Sequence, residues 1–154
     1  MIPHKQTILH DPEIGQWGDC FRTAIACIMN IPDPTEVPHF CEGENPDWKK
    51  DSEAWLNDRG YTLVESGFLS EDATLEEVLA QFARNPCWYL VSGSSPRGNH
   101  CVIAQRDQLV HDPHPADTFL VGPNSNGHWF VNFLVPLTHA PTAWLAKQTD
   151  ADNY

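Results

Sequence analysis

Three short stretches of the chain carry residues suited to nucleophilic chemistry. Cys20 follows Gly18-Asp19 and opens an apolar run that ends at Asn30. Gly98-Asn-His-Cys-Val-Ile-Ala104 puts His100 at the entrance of a second apolar run. Leu109-Val-His-Asp-Pro-His-Pro115 puts Asp112 at the close of a third. A cysteine at a helix start, a histidine entering a strand and an aspartate ending the next strand are the parts of a Cys-His-Asp relay. In such a relay the base takes up the thiol proton and the carboxylate fixes the tautomer of the base.

A thiol attacks carbonyl carbon as the thiolate. Its ordinary pKa of about 8.5 falls to roughly 3.5–7.5 beside an imidazolium or at the unpaired N–H groups of a helix start. Asp19 is the expected N-cap, which sets Cys20 in the first helical turn. Of eight histidines, His100 is the best placed to serve as base. Residues 100–105 and 108–112 read as a hairpin joined at Asp107-Gln108. Its two outer ends bring His100 beside Asp112.

The elements that must hold these residues follow from periodicity and breakers. Residues 19–30 read as a helix, with Phe21, Ala24, Ile25 and Ile28 on one face and Pro32 and Pro34 ending it. Thr7-Ile8-Leu9 reads as a short strand, and His10 to Gly15 as a turn. A short helical turn is expected over 35–40 and a polar loop over 42–50. A helix is expected over 52–59 with Gly60 closing it, followed by a strand over 61–65. Thr74-Leu-Glu-Glu77 is a capping box that opens a helix running to about Asn85. Strands are expected over 87–91 and 129–135, with a Gly/Ser/Pro turn region over 92–99. Helices first and then a run of antiparallel strands is an α+β layout. The chain reads as one domain over 1–154, with 148–154 a frayed tail.

Bulk composition narrows the function classes. The 154 residues suit one ordinary domain, and 41% hydrophobic residues can fill its core. Nine Lys+Arg against 21 Asp+Glu argue against nucleic acid as a partner. No run approaches the ~18 apolar residues of a membrane span. The N-terminus carries no apolar signal region, so a cytoplasmic location and no membrane partner are expected.

The five cysteines are an odd number at wide spacings with no C-x-x-C pair, which argues against a disulfide framework. Cys27, Cys87 and Cys101 sit in apolar runs and read as small buried hydrophobes. Spacing does not place Cys41. His100, His111, Asp112 and His114 invite a zinc proposal, yet no zinc spacing is present, so neither metal nor cofactor is expected. His111 and His114 read as solvent-facing loop residues. Trp17 and Trp129 are either cleft walls or core.

Together, Cys20 opening a helix, Asn99-His100 entering a strand and Val110-His-Asp-Pro113 resemble papain-like cysteine peptidases, nearest to the bacteriocin-processing C39 type. Gly18-Asp-Cys-Phe-Arg-Thr-Ala-Ile-Ala26 with Glu36-Val-Pro-His-Phe40 resembles a small C39-like group associated with phages and prophages. The resemblance spans roughly residues 5–115. It implies a papain-like fold, with an N-terminal helix carrying the nucleophile packed on an antiparallel sheet carrying His and Asp. It also implies an oxyanion-hole glutamine upstream of the cysteine. Papain-like enzymes commonly hold it six residues before the cysteine, where this chain has Ile14. Gln6 and Gln16 are the two alternatives, and the Gln-Thr-Ile context of the phage-type proteins points to Gln6.

The expected activity is hydrolysis of an amide, peptide or isopeptide bond in a peptide or protein substrate. Cys20, His100 and Asp112 are the catalytic residues, and the path runs through a thioester acyl-enzyme. Two alternatives keep the fold: an acyltransferase using the same thiol, and a catalytically silent, phage-encoded binder of a host factor.

Overall fold

In the computed structural model, residues 1–137 are described; the tail expected over 148–154 lies outside the described residues. The fold is α+β. Its elements run α1 (Cys20–Met29), α2 (Trp48–Asn57), β1 (Tyr61–Leu69), α3 (Leu75–Ala80), β2 (Trp88–Ser95), β3 (Gly98–Gln105), β4 (Gln108–His111) and β5 (His128–Pro136). The strands form one antiparallel sheet in the order β1-β5-β2-β3-β4. Among the described residues, no helix is long and apolar enough to cross a membrane.

Strand alternation sends side chains to two cores, one on each face of the sheet. Leu90, Cys101 and Ile103 pack with Ala24, Ile25 and Cys27 of α1 and with Leu56 of α2. Tyr89, Val91, Val102 and Ala104 pack with Val78 and Leu79 of α3 and with Trp129 and Val131 of β5. Helix α1, which opens with Cys20, is thus clamped against the strand that carries His100. Helix α1 stops at Asn30, whose left-handed φ of 56° turns its N–H back to the Ala26 and Cys27 carbonyls.

Several elements differ from the sequence expectation. Helix α2 begins at Trp48, four residues ahead of Ser52. Trp48 packs edge-on against Phe21 at 5.3 Å, and that anchor outweighs the polar Lys49-Lys50-Asp51 behind it. Strand β1 continues past Glu65 to Leu69 because β5 pairs with it along its whole length. The helix opened by the Thr74 capping box ends at Ala80 rather than near Asn85. Residues 92–95 are strand rather than turn. They pair in register with 98–101, from Ser92 opposite Cys101 to Ser95 opposite Gly98, across a two-residue turn at Pro96-Arg97. Ladder pairing overrides the weak strand propensity of Ser and Gly.

Thr7 to Leu9 form no strand. Their backbone is held instead by Asp19, whose carboxylate accepts the Ile8 N–H at 3.1 Å while its own N–H reaches the Ile8 carbonyl at 3.1 Å. Cys27 and Cys101 are buried as expected, but Cys87 is exposed, one residue ahead of β2. Trp129 is core.

Candidate active site

Cys20 is the first residue of α1, where its backbone N–H has no acceptor within the helix. Asp19 precedes it but caps nothing with its side chain. The buried carboxylate instead takes the Arg22 guanidinium through Nε at 3.0 Å and an Nη at 2.9 Å, together with the Ile8 N–H. Asp19 therefore presents a neutralised pair next to the thiol and ties residues 7–8 to the helix start. This departs from the N-cap expectation because the lead-in segment, crossing close by, offers better donors than the first turn of the helix.

His100 is the first buried residue of β3. Its Nε2 lies 2.7 Å from Asp112 Oδ1. Asp112, one residue past β4, is fully buried, and its carboxylate also accepts the backbone N–H groups of His114 and Phe119, each at 2.7 Å. A register shift between Ile103 and Ala104 puts one extra residue into β4, so that the continued ladder sets Asp112 level with Val102, on the sheet face that His100 shares. With Nε2 engaged by Asp112, Nδ1 is the ring nitrogen left for proton exchange. Cys20 lines the same cleft as His100, near enough for its sulfur to act on the ring's pKa.

The electrostatics follow from that geometry. Burial alone would lower the His100 pKa, but the Asp112 carboxylate and the Cys20 sulfur carry it up to about 9. Burial would raise the Asp112 pKa, but the His100 ring and the two backbone donors hold it down at about 2. An imidazolium held between a carboxylate and a sulfur can deliver a proton to a leaving group at neutral pH.

Cys20, His100, Gln6 and His114 line one cleft of about 1130 Å³, together with Trp17, Trp48, Phe130 and Cys41. Cys41, which spacing left unplaced, therefore lies in the cleft wall; burial, with some help from Cys20, pushes its thiol up to about 12. Burial likewise pushes the Cys101 thiol well up. Both thiols are therefore held protonated and unreactive at neutral pH.

Of the two glutamines, Gln6 reaches this cleft and Gln16 does not. Gln16 is exposed, donates to the Leu9 carbonyl at 2.7 Å and lines a separate recess. Residues 11–16 close on themselves through paired Asp11–Gln16 backbone hydrogen bonds of 2.9 Å, which hold Gln16 away from Cys20. Gln6 is 6% exposed. Its Nε2 donates to the Ile8 carbonyl at 2.8 Å and lies 3.3 Å from where a Cβ on Gly18 would be. Gly18, two residues before the thiol, is thus what lets the amide come so near.

His111 and His114 are not the solvent-facing loop residues expected. The His111 ring bonds the His4 carbonyl at 2.7 Å. His114 is 7% exposed and stands edge-on to His100, with ring centroids 6.3 Å apart. Of the four residues that suggested zinc, His100 and Asp112 bond each other, His111 bonds the His4 carbonyl and His114 accepts the Ala116 N–H. The two rings are drawn in by the lead-in segment, which folds over the 111–114 turn. Such a long-range contact has no signature in local sequence.

Comparisons of the chain with protein-family models, with curated proteins and with solved structures returned no match.

Proposed function

We propose that this chain is a papain-like cysteine hydrolase, nearest in kind to the C39 type and its phage-associated group, acting on an amide, peptide or isopeptide bond of a peptide or protein. The observation that carries the reading is the buried 2.7 Å His100–Asp112 pair, whose His100 lines the same cleft as the cysteine that opens α1.

The Cys20 sulfur attacks the substrate carbonyl. The developing oxyanion sits between the Cys20 backbone N–H and the Gln6 side-chain amide. His100 gives its proton to the leaving amine, and a thioester remains on Cys20. His100 then takes a proton from water, which attacks the thioester and frees the thiol and the carboxylate product. Asp112 holds the ring in one tautomer throughout. Five free cysteines suit a reducing, cytoplasmic setting.

The test is iodoacetamide labelling near ~pH 6, mapped cysteine by cysteine, on wild type, Cys20→Ala and His100→Ala, with exposed Cys87 as the internal reference. Cys20 is expected to label at least about tenfold faster than Cys87, and His100→Ala to remove that advantage. Equal rates at Cys20 and Cys87 in the wild type would sink the hydrolase reading and leave the silent binder.

A further inference from the structure

Two polar atoms in the cleft wall are buried without a hydrogen-bond partner: Gln6 Oε1 and His114 Nε2. They are complementary. The Ala116 N–H donates to His114 Nδ1 at 3.0 Å, so in the neutral ring Nδ1 is the acceptor and Nε2 carries the proton. Burial, with Arg97 nearby, lowers the His114 pKa and keeps that neutral form at neutral pH. The Gln6 amide is oriented by its Nε2 bond to the Ile8 carbonyl, so its oxygen is the unpaired end. One orphan is thus a donor and the other an acceptor.

The segments that carry them are laced together. The Gln6 N–H donates to the Pro113 carbonyl at 2.8 Å, and Lys5 Nζ reaches the Asp112 carbonyl at 2.7 Å and the His114 carbonyl at 3.2 Å. Residues 5–6 and 112–114 are therefore tied to one another. A buried donor and a buried acceptor that each lack a partner carry a desolvation cost, which pairing them with one another relieves.

Resting on the cysteine hydrolase reading, we propose that His114 is a positioning residue for the oxyanion hole. In the substrate-bound protein its Nε2–H takes up the Gln6 amide oxygen, which leaves the second N–H of Gln6 Nε2 for the carbonyl attacked by Cys20. His114 touches no substrate and acts through Gln6. The strand residue His100 and the turn residue His114 then divide the work, one moving the proton and the other fixing the anion donor.

Two probes separate these roles. With p-nitrophenyl acetate, the Cys20 thiolate adds to the acetyl carbonyl, the C–S bond forms, the ester C–O bond breaks and p-nitrophenolate leaves; an oxyanion develops on the way. With iodoacetamide, sulfur displaces iodide and no oxyanion forms. Both rates are read at Cys20, with the signal of Cys20→Ala subtracted, for Gln6→Ala, His114→Ala, His114→Gln and the double variant Gln6→Ala/His114→Ala. Gln6→Ala is expected to slow acylation about 10²–10³-fold, as loss of one oxyanion donor does. His114→Ala is expected to slow it at least about tenfold, and the double variant no further than Gln6→Ala alone, because the two residues act as a unit. His114→Gln restores a donor near the Nε2 position and is expected to recover most of the rate. Alkylation stays within about twofold throughout.

Independent, multiplying losses in the double variant would overturn the inference, as would unchanged acylation in His114→Ala. Parallel loss of acylation and alkylation would also overturn it, since His114 would then act on the fold or on His100. Alkylation of wild-type Cys20 no faster than that of Cys87 would instead fell the hydrolase reading, and this inference with it.

Discussion

Lys5 Nζ donates to the backbone carbonyl of Asp112 at 2.7 Å, joining the residue before Gln6 to the residue that orients His100. The same ammonium reaches the His114 carbonyl and pairs with the Asp117 carboxylate. One cation thus pins the turn behind the buried carboxylate. Lys5→Met keeps the aliphatic stem and removes the three bonds. Because the ammonium is partly exposed, the expected cost is modest, about 1 kcal/mol in denaturant unfolding. The acylation rate at Cys20 is expected to fall by more than stability alone explains, because Gln6 is then held to the Asp112 turn by its own N–H bond to the Pro113 carbonyl alone. A stability loss with an unchanged rate would show that the tie holds the fold and not the site.

The His100–Asp112 pair fixes a pH window. His100 is raised from 6.5 to about 9, so its contribution to stability is complete below pH 6.5 and is lost as pH rises through 9. Asp112 is lowered from 3.8 to about 2, so its contribution is complete above pH 3.8 and is lost as pH falls through 2. Both shifts describe one interaction, which counts once. The difference in unfolding free energy between wild type and His100→Ala is expected to be largest between the two unfolded-state values, 3.8 and 6.5, and to shrink on both sides. On the hydrolase reading proposed above, turnover uses the imidazolium as proton donor and is expected to fall on an alkaline limb near 9. A difference that does not vary from acid to alkaline pH would mean the pair is not charged in the folded chain.

The hairpin that brings His100 to Asp112 was legible because its signals are local. An unbroken apolar run covers Cys101 to Ala104, a polar turn follows, and the partner strand closes on Asp112. The start of α1 at Cys20 was legible for the same reason, from helical spacing and the prolines beyond it. The lead-in segment was not. Thr7-Ile8-Leu9 reads as a short strand, but the backbone of Ile8 pairs with Asp19, a choice made by tertiary contact. The same contact hid His114, which sits among Pro113, Pro115 and Ala116 and reads as loop until Lys5 and Gln6 fold over it. Helix α2 shows the converse error. Its polar first turn reads as surface loop, and the single aromatic that anchors it, Trp48, is apparent only once Phe21 lies opposite.

Gly18 is where backbone room and chemistry meet. A Cβ there would lie 2.9 Å from the His10 backbone nitrogen and 3.3 Å from Gln6 Nε2. The backbone contact cannot give cheaply, so Gly18→Ala is expected to cost about 1–3 kcal/mol. It is also expected to push Gln6 off the cleft wall, so that p-nitrophenyl acetate acylation slows while iodoacetamide alkylation of Cys20 persists. Equal slowing of the two reactions would place the damage at Cys20 itself.

Gly93 pairs directly with His100 across the β2–β3 ladder. A Cβ at Gly93 would stand 2.6 Å from the Gly122 carbonyl oxygen and 2.8 Å from the Trp129 ring. Neither neighbour can yield. Gly122 is fixed by the Ser94 N–H at 2.7 Å, the adjoining Val121 N–H donates to the Ser94 carbonyl at 2.8 Å, and Trp129 is buried among Tyr89, Val91 and Val131. The strand must therefore shift, and β3 shifts with it, carrying His100 away from a thiol that α1 holds in place. Gly93→Ala is expected to lower stability by about 2–3 kcal/mol and the melting temperature by about 2–4 °C for each kcal/mol. Alkylation and acylation at Cys20 are expected to fall together, because the proton partner is what moves. Gly127→Ala is the control. Gly127 has a positive φ of 78° and open space around its Cβ direction, so the substitution strains the backbone without touching the site. A loss of about 1 kcal/mol at Gly127 with full Cys20 reactivity, against loss of both at Gly93, would tie reactivity to the placement of His100. Full reactivity in a destabilised Gly93→Ala would cut that tie.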